Sequence, residues 1–221
     1  MEIRTVAPGE KAIVKEVVRI HLDAFSGFFL SFMGKGFLKH MYTSYCEHKA
    51  STLLVAIDDD GSVVGFLSYT HDMSGLYKYM IKKKLIPFAW FSLGAFLRKP
   101  RVFMRLVRAL LKPSESERKE KYVMFTSLGV DGTKKCRGVG SMLFTKGKES
   151  VDFSEFEYIS LETDVEHNDI TNHFHKKNGF KIVREFTTHE GRRMYEYRYY
   201  GEKAAAATEN TEEKETENTT V

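Results

Sequence analysis

The chain has 221 residues, of which 42% are hydrophobic, so it can bury a core and is neither collagen-like nor disordered throughout. Its formal net charge is only +4, but residues 76–112 contain ten lysines and arginines and no acidic residue. This segment therefore carries +10, and the other residues together carry −6. Any function assigned to the chain must account for so uneven a distribution.

Hydrophobic periodicity and turn signals predict elements in the order β-αα-β-β-insertion-β-α-β-α-β-β. The predicted strands cover residues 1–7, 52–57, 62–70, 121–130, 157–163, 179–186 and 192–200. The predicted helices cover residues 10–24, 28–48, 138–150 and 168–177. This order predicts a mixed α/β domain over residues 1–200, neither doubly wound nor a barrel, with a basic helical insertion over 76–112. The acidic tail, 201–221, has no aromatic residue, so we expect it to be disordered.

Cysteine usage and hydropathy bear on the compartment. Cys46 and Cys136 lie ninety residues apart, which fits neither a disulfide framework nor a zinc site, so we expect a reduced chain without a metal. The N-terminus lacks the basic start and apolar stretch of a signal peptide. The longest apolar run, 85–97, is shorter than the roughly 20 residues that a membrane-spanning helix needs. These features predict a cytoplasmic protein.

A glycine-containing loop follows the longest predicted strand. Gly138 and Gly140 allow the backbone to approach a ligand closely. The first amides of the next helix point outward beside the positive end of its dipole, which together with the glycines suits a pyrophosphate. Lys134, Lys135 and Arg137 add mobile positive charge. The loop lacks both the Gly-Lys-Ser/Thr of a Walker loop and the third glycine of a Rossmann fingerprint. Taken alone, it is equally typical of a turn that enters a helix.

Two motifs in this order resemble the signatures of one family. The stretch Lys135-Cys136-Arg137-Gly138-Val139-Gly140 resembles the acetyl-CoA loop of the GNAT superfamily, whose pattern is Gln/Arg-x-x-Gly-x-Gly/Ala. About thirty residues later, 168–180 resembles the second signature, an Asn followed by a small residue, a Leu/Phe-Tyr pair and a closing Gly-Phe. The order of predicted elements also matches that family. The resemblance covers roughly residues 1–75 and 120–200.

The resemblance implies a fold, a co-substrate and a set of contacts. The fold is of GNAT type, with a twisted, mostly antiparallel sheet flanked by helices, and the acyl donor is acetyl-CoA. The backbone of Leu128 and Val130 would pair with the pantetheine arm, Asn168 would contact the cofactor, and Phe174 would pack beside it. The amides that hold the pyrophosphate would be those of Lys135, Cys136, Arg137, Gly138, Val139, Gly140 and Ser141. Lys135 stands where the family has Gln or Arg, which keeps a cation but not the planar fork.

Histidine replaces the family's tyrosine at position 175. That tyrosine often protonates the departing CoA thiolate, and a histidine can supply a proton near neutral pH. Two interpretations of His175 therefore stay open: a general acid, or a partly exposed helix residue next to Phe174.

Candidates for a general base are less distinctive. Strand alternation turns Glu162 away from Ile159 and Leu161, so Glu162 is a candidate base. We expect Asp131, which ends the long strand, to be a solvated turn residue. Direct transfer from CoA needs no covalent nucleophile, so we expect Cys136 to pack within the loop.

The basic insertion has three alternative interpretations. Pro87 and Pro100 divide it into three short helices, and over 101–112 apolar and basic residues fall on opposite faces. In the first interpretation it is a solvated lid that shapes the acceptor pocket. In the second it binds a phosphorylated or nucleotide-linked acceptor. In the third it binds anionic lipid headgroups at a membrane surface. We expect no nucleic-acid partner, because no reader motif accompanies the charge.

The sequence therefore predicts an acetyl-CoA-dependent N-acetyltransferase that acts by direct transfer. The acceptor would be a primary amine on a small or carrier-linked molecule, such as an amino sugar. Two alternatives stay open, a non-catalytic CoA-binding module and a membrane-surface-associated protein of the same fold. The predicted location is cytoplasmic, peripheral to the membrane in the lipid-binding interpretation.

Overall fold

A computed structural model of the chain describes residues 1–98, 100, 120–134, 137–188 and 191–201. It is a mixed α/β protein whose strands are hydrogen bonded in the order β1-β2-β3-β4-β5-β7-β6. The strands are β1 (Glu2–Thr5), β2 (Ser51–Ile57), β3 (Val63–Thr70), β4 (Tyr122–Val130), β5 (Tyr158–Asp164), β6 (Lys181–Thr187) and β7 (Arg193–Tyr199). The described helices are α1 (Lys11–Ala24), α2 (Phe29–Met33), α3 (Lys35–Glu47), α4 (Met73–Arg98), α5 (Val139–Glu149) and α6 (Asp169–Lys177). The predicted fold class is confirmed.

One prediction about the helices was wrong, and another was displaced by one turn. The single helix predicted over 28–48 is two helices, because Gly34 adopts a φ of +89° between them, a conformation that few residues other than glycine adopt readily. The break expected at Pro87 lies three residues upstream of it. Helix α4 begins at Met73 and continues through Pro87, and its only non-helical residue is Lys84, three residues upstream. A proline ring clashes with the backbone one turn before it, which accounts for the break. The predicted amphipathic helix 101–112 and tail 202–221 lie outside the described residues.

The chain divides into two compact units. The first comprises Met1–Lys119 and Met124–Glu149, and the second comprises Glu120–Val123 and Ser150–Val221. Strand β4 is shared between them, since its first two residues belong to the second unit.

The first unit packs helices on both faces of strands β1 to β4, which are antiparallel. Helices α1 and α3 cover one face, where Phe66 contacts the rings of His21 and Tyr42. Helix α5 covers the other face and approaches closely because of two glycines. A Cβ atom at Gly65 would lie 2.8 Å from Val139, and one at Gly147 would lie 2.6 Å from Leu67.

Helix α4 packs on α3 within the first unit. The Phe88 ring lies 4.8 Å from that of Phe37, centroid to centroid. Glu47 of α3 accepts a hydrogen bond from Tyr79 at 2.9 Å and forms an ion pair with Lys84 at 2.7 Å. The described part of the basic insertion is therefore anchored to α3. Among the residues that the structure describes, no helix is both long enough and apolar enough to span a bilayer.

The second unit contains the antiparallel strands β5, β7 and β6 with helix α6. Helix α6 packs on the face that carries Tyr197, whose hydroxyl donates to Asn172 Oδ1 at 3.0 Å. The opposite face carries Glu196, which is 1% exposed and forms ion pairs with Arg184 at 3.0 Å and Arg198 at 2.8 Å. Cross-strand partners in an antiparallel pair share a face, so the register assigns every β5 side chain to one of these two faces.

Candidate active site

Strand β4 contains a bulge at Thr126. Ser127 lies opposite Ser68 of β3, but Phe125 lies opposite Tyr69, so Thr126 has no opposing residue. Its hydroxyl donates to the Ser68 carbonyl oxygen at 2.9 Å and accepts from the Tyr45 hydroxyl at 2.9 Å. A bulge increases strand twist and redirects the residues beyond it, here the segment that leads to the glycine-containing loop.

Beyond the bulge, β4 remains paired with β3 up to its end. Leu128 lies opposite Leu67, and Val130 lies opposite Gly65. The backbone that the resemblance assigns to pantetheine pairing is thus held along one strand edge by β3. The assignment itself stays a prediction.

Asp131, the first residue after β4, anchors the loop. Its side chain is buried, not solvated as the sequence predicted. The carboxylate accepts hydrogen bonds from the amide and hydroxyl of Thr133, at 2.9 Å and 2.6 Å, and from Arg19 Nη2 at 2.7 Å. These donors, the Thr133 hydroxyl above all, lower the pKa of Asp131 to about 2. Asp131 is therefore ionised at neutral pH and holds the loop; it is not suited to act as a base.

Arg19 is the site residue that the sequence analysis did not identify. It lies on α1, 112 residues before Asp131, and also pairs with Glu16 at 2.9 Å and Asp23 at 3.6 Å. Helical spacing alone gives no signal for a partner so far along the chain.

Lys134 is not the mobile cation that the sequence predicted. Its ammonium group donates to Asp60 at 3.0 Å and lies 3.6 Å from Asp58, both in the turn between β2 and β3. The hydrogen bond to Asp60 raises the pKa of Lys134. The lysine thus ties the start of the loop to the β2–β3 turn.

The loop enters helix α5 through Gly138, whose φ of +80° lies in the left-handed region. No described atom lies within 4 Å of the position that a Cβ would take there, so the space beside this backbone is open. The Met142 amide donates to the Gly138 carbonyl oxygen at 3.0 Å, which leaves the amides of Val139, Gly140 and Ser141 in the first turn without intrahelical acceptors. Arg137 is exposed beside them.

This end of the loop fits a phosphate-bearing ligand. Open backbone, helix amides and an exposed arginine occur together over residues 137–141, and binding of a pyrophosphate there stays a prediction. Lys135 and Cys136 lie outside the described residues, so their roles stay predictions.

In the second unit, Asn168 precedes helix α6. Its side-chain nitrogen donates to Thr163 Oγ1 at 2.7 Å and to the Asp164 carbonyl oxygen at 3.0 Å. These bonds fix the start of α6 to the end of β5. Phe174 is half-buried on the same helix. Contact of either residue with a cofactor stays a prediction.

His175 is buried, not partly exposed. Only 6% of its surface is accessible, and its ring lies 5.3 Å from that of Tyr197, 5.6 Å from that of Phe174 and 6.4 Å from that of Phe180. Burial lowers its pKa to about 4. The imidazole is therefore neutral at pH 7, and an imidazolium proton is not available from it in this state.

Glu162 is half-buried on β5, directly opposite Glu196 of β7. Leu161 lies opposite Tyr197, on the face that α6 covers, so Glu162 lies on the other face. The structure thus places Glu162 and His175 on opposite faces of the second unit's strands and does not bring them together. No group of three or more metal-ligating side chains occurs among the residues described.

Comparisons with known proteins agree with the sequence motifs. Residues 15–180 match the family model described as Acetyltransferase (GNAT) family. None of the curated proteins matches the chain.

Solved structures that share the fold include the following three. The ribosomal-protein-alanine N-acetyltransferase from Brucella melitensis has a TM-score of 0.57 at 14% identity, over 91% of this chain and 100% of that one. NAA60 from Arabidopsis thaliana, in complex with acetyl-CoA, has a TM-score of 0.54 at 14% identity, over 90% and 97%. The histone acetyltransferase HPA2 and related acetyltransferase from Corynebacterium glutamicum has a TM-score of 0.56 at 16% identity, over 91% and 98%. At these identities the likeness shows the fold alone.

Proposed function

The chain belongs to the GNAT acetyltransferase family, and we propose that it transfers acetyl from acetyl-CoA to a primary amine on a small or carrier-linked molecule, such as an amino sugar. The observation that supports this most strongly is the anchored loop between β4 and α5. Asp131 fixes its start through Thr133 and Arg19, and Gly138 opens its end beside the first amides of α5.

The residues present fit the donor. Arg137 and the amides of Val139, Gly140 and Ser141 would hold the pyrophosphate, because an anion is stabilised at a helix N-terminus. Leu128 and Val130 would present backbone groups to the pantetheine arm. Lys135 and Cys136 would contribute their amides, and Asn168 and Phe174 their side chains, as the family resemblance implies.

The proposed reaction is direct. The neutral amine attacks the thioester carbonyl carbon, the carbon–sulfur bond breaks, the amine loses a proton to a base, and the thiolate gains one. No covalent enzyme intermediate is needed. The bulge at Thr126 positions the end of β4. Backbone amides held in place there would be preorganised donors, which stabilise the charge that develops in a transition state.

We propose Glu162 as the proton acceptor. It is a half-buried carboxylate of β5 and lies opposite Glu196, on the face of the strands opposite the one that α6 covers. For His175 the burial and the lowered pKa favour a packing role over that of an imidazolium acid, so another group or water would supply the thiolate proton. Glu162 and His175 are therefore the two positions to test.

Donor binding and chemistry can be tested separately. Acetyl-CoA and free CoA should both raise the melting temperature, while NAD should not; a ligand present at 100 times its Kd stabilises by about 2.7 kcal/mol. Mass spectrometry should then detect N-acetylated products from a panel of primary amines that includes amino sugars. Stabilisation by NAD but by neither CoA species would contradict the proposal. Stabilisation by CoA without any acetylated product would support the non-catalytic CoA-binding alternative.

A further inference from the structure

Helix α4 presents an apolar face to solvent after its break at Lys84. Ile86, Trp90, Leu93 and Leu97 recur at intervals of three and four residues, which places them on one side of the helix. Their exposed fractions are 82%, 71%, 46% and 71%. Leu85, which is 58% exposed, lies beside them.

The other side of this helix is the one that packs on the first unit. Phe88 contacts the rings of Phe37 and His40 of α3, and Ser92 is buried. A Cβ atom at Gly36 would overlap the Phe91 ring, so this contact is close. The outward side of a helix on a water-soluble protein is normally polar, yet residues 85–97 contain no charged side chain. Contiguous exposed apolar surface of this kind marks an interaction site.

Basic residues flank the apolar stretch 85–97 on both sides in the sequence. Lys78, Lys82 and Lys83 are exposed in the first half of α4. The sequence after Leu97 continues Arg98-Lys99-Pro100-Arg101, and no acidic residue occurs anywhere from 76 to 112. An apolar face with basic residues before and after it in the sequence is complementary to a surface that has an apolar interior and negatively charged groups at its boundary with water.

We propose that this face of α4, formed by Ile86, Trp90, Leu93 and Leu97, docks on a membrane surface that carries anionic headgroups. The apolar side chains would enter the boundary between headgroups and acyl chains, and the lysines would contact the headgroups, as in other interfacial helices. Tryptophan is favoured at that boundary because one part of its ring system is apolar and the other donates a hydrogen bond.

A second copy of the chain is a poorer occupant. Because basic residues lie before and after the apolar stretch in sequence, both parallel and antiparallel pairing of two α4 helices would bring like charges together. A protein dimer would have to supply acidic residues at that contact, and the segment has none. Anionic lipids supply the missing charge.

Trp90 is the chain's only tryptophan and reports directly on this face. The full chain is mixed with vesicles of phosphatidylcholine containing 30% phosphatidylglycerol (about one anionic lipid in three, a strongly charged surface) at low salt. Docking predicts a blue shift of Trp90 emission and quenching by lipids brominated on the acyl chains. An unchanged spectrum in the presence of these vesicles would overturn the proposal without any variant being made.

Variants separate the apolar and the charged contributions in vesicle flotation. The double variant Ile86→Glu/Leu97→Glu should lose flotation with the vesicles, whereas Ile170→Glu, at a residue that is 89% exposed on α6, should float like the wild type. Lys82→Gln and Lys83→Gln should each weaken binding about fivefold at low salt. The control Lys11→Gln, at an exposed lysine of α1, should leave it unchanged.

Far-UV circular dichroism checks that each variant remains folded. Equal flotation of the wild type and the double glutamate variant would overturn the proposal. So would sedimentation showing a dimer that the same double variant dissociates, because the face would then join two copies of the chain.

Discussion

The Arg19 guanidinium lies 2.7 Å from the buried carboxylate of Asp131, joining helix α1 to the loop that follows strand β4. Two elements far apart in sequence are thereby fixed where the proposed donor loop begins. Asp131 also bonds to Thr133, so one carboxylate holds both the start of the loop and its connection to α1.

Replacing Arg19 by methionine keeps the apolar stem and removes the guanidinium. The Asp131 carboxylate then keeps its hydrogen bonds from Thr133 but loses its ion pair with Arg19. A buried charged group left without such a partner lowers the free energy of unfolding by about 1–3 kcal/mol. We expect a corresponding loss in urea unfolding and a weaker affinity for acetyl-CoA in calorimetric titration. Glu16→Gln and Asp23→Asn remove the other carboxylates that contact Arg19 and should change neither quantity by as much. A stable Arg19→Met variant with unchanged affinity would contradict the anchoring role.

Gly138 and Gly132 form a matched pair in the same loop. An alanine at Gly138 must adopt a φ of +80°, which costs about 1–2 kcal/mol, and its methyl group would fill the space beside the proposed phosphate contacts. At Gly132 no described atom lies within 4 Å of the position that a Cβ would take, and φ is not left-handed. Gly138→Ala should therefore raise the KM for acetyl-CoA at least about tenfold, while Gly132→Ala should not. Equal KM values would show that the donor does not approach Gly138.

Glu162→Gln tests the proposed base. General-base catalysis contributes about 10²- to 10⁴-fold, so kcat should fall by this order and the acidic limb of the pH–rate profile should disappear. The KM for acetyl-CoA should change little, since the base acts on the amine. Glu185→Gln is a suitable control, because Glu185 is an exposed carboxylate on β6. A kcat within twofold of the wild type would exclude Glu162 as the base.

Two buried histidines predict how stability depends on pH. Burial lowers the pKa of His21 and of His175 to about 4 from 6.5, so the unfolded chain binds protons at these sites before the folded chain does. The contribution of these neutral histidines to the free energy of unfolding is fully present above pH 6.5. It is lost as the pH is lowered from 6.5 to 4, by up to about 3 kcal/mol for each histidine. Asp131 and Glu10, with pKa values of about 2, lose their contributions only at lower pH, so the range from pH 7 to 5 reports the histidines.

Urea unfolding at several pH values between 7 and 5 measures this dependence. His175→Phe should remove the part that His175 contributes and leave those of His21 and of His40, whose pKa burial also lowers. If His175 acts through packing, the variant should keep kcat within a few-fold of the wild type. An unchanged pH dependence in this variant would show that His175 is not buried as a neutral ring.

Local sequence signals predicted the strands and the glycine-containing loop because each depends on neighbouring residues. Features that depend on distant partners were not accessible in this way. The pairing of Asp131 with Arg19, that of Lys134 with Asp60, and the register that places Glu162 opposite Glu196 are set by tertiary packing. Helix α4 shows the same limit, since Pro87 was expected to end a helix and instead only breaks it upstream at Lys84.

The exposure of Trp90 is a further example. The sequence showed that the segment is basic and apolar, but only the packing of Phe88 on Phe37 shows which side of α4 faces outward. The three interpretations of the insertion thus become distinguishable once that side is known.

Amine-dependent release of CoA is the most direct measurement of the central proposal. The full chain is incubated with acetyl-CoA, with and without a panel of primary amines, and free thiol is followed over time. We predict steady thiol release that accelerates with at least one amine, saturates with its concentration, and is greatly reduced in Glu162→Gln. Binding of acetyl-CoA with no amine-dependent acceleration across a broad panel would contradict the account.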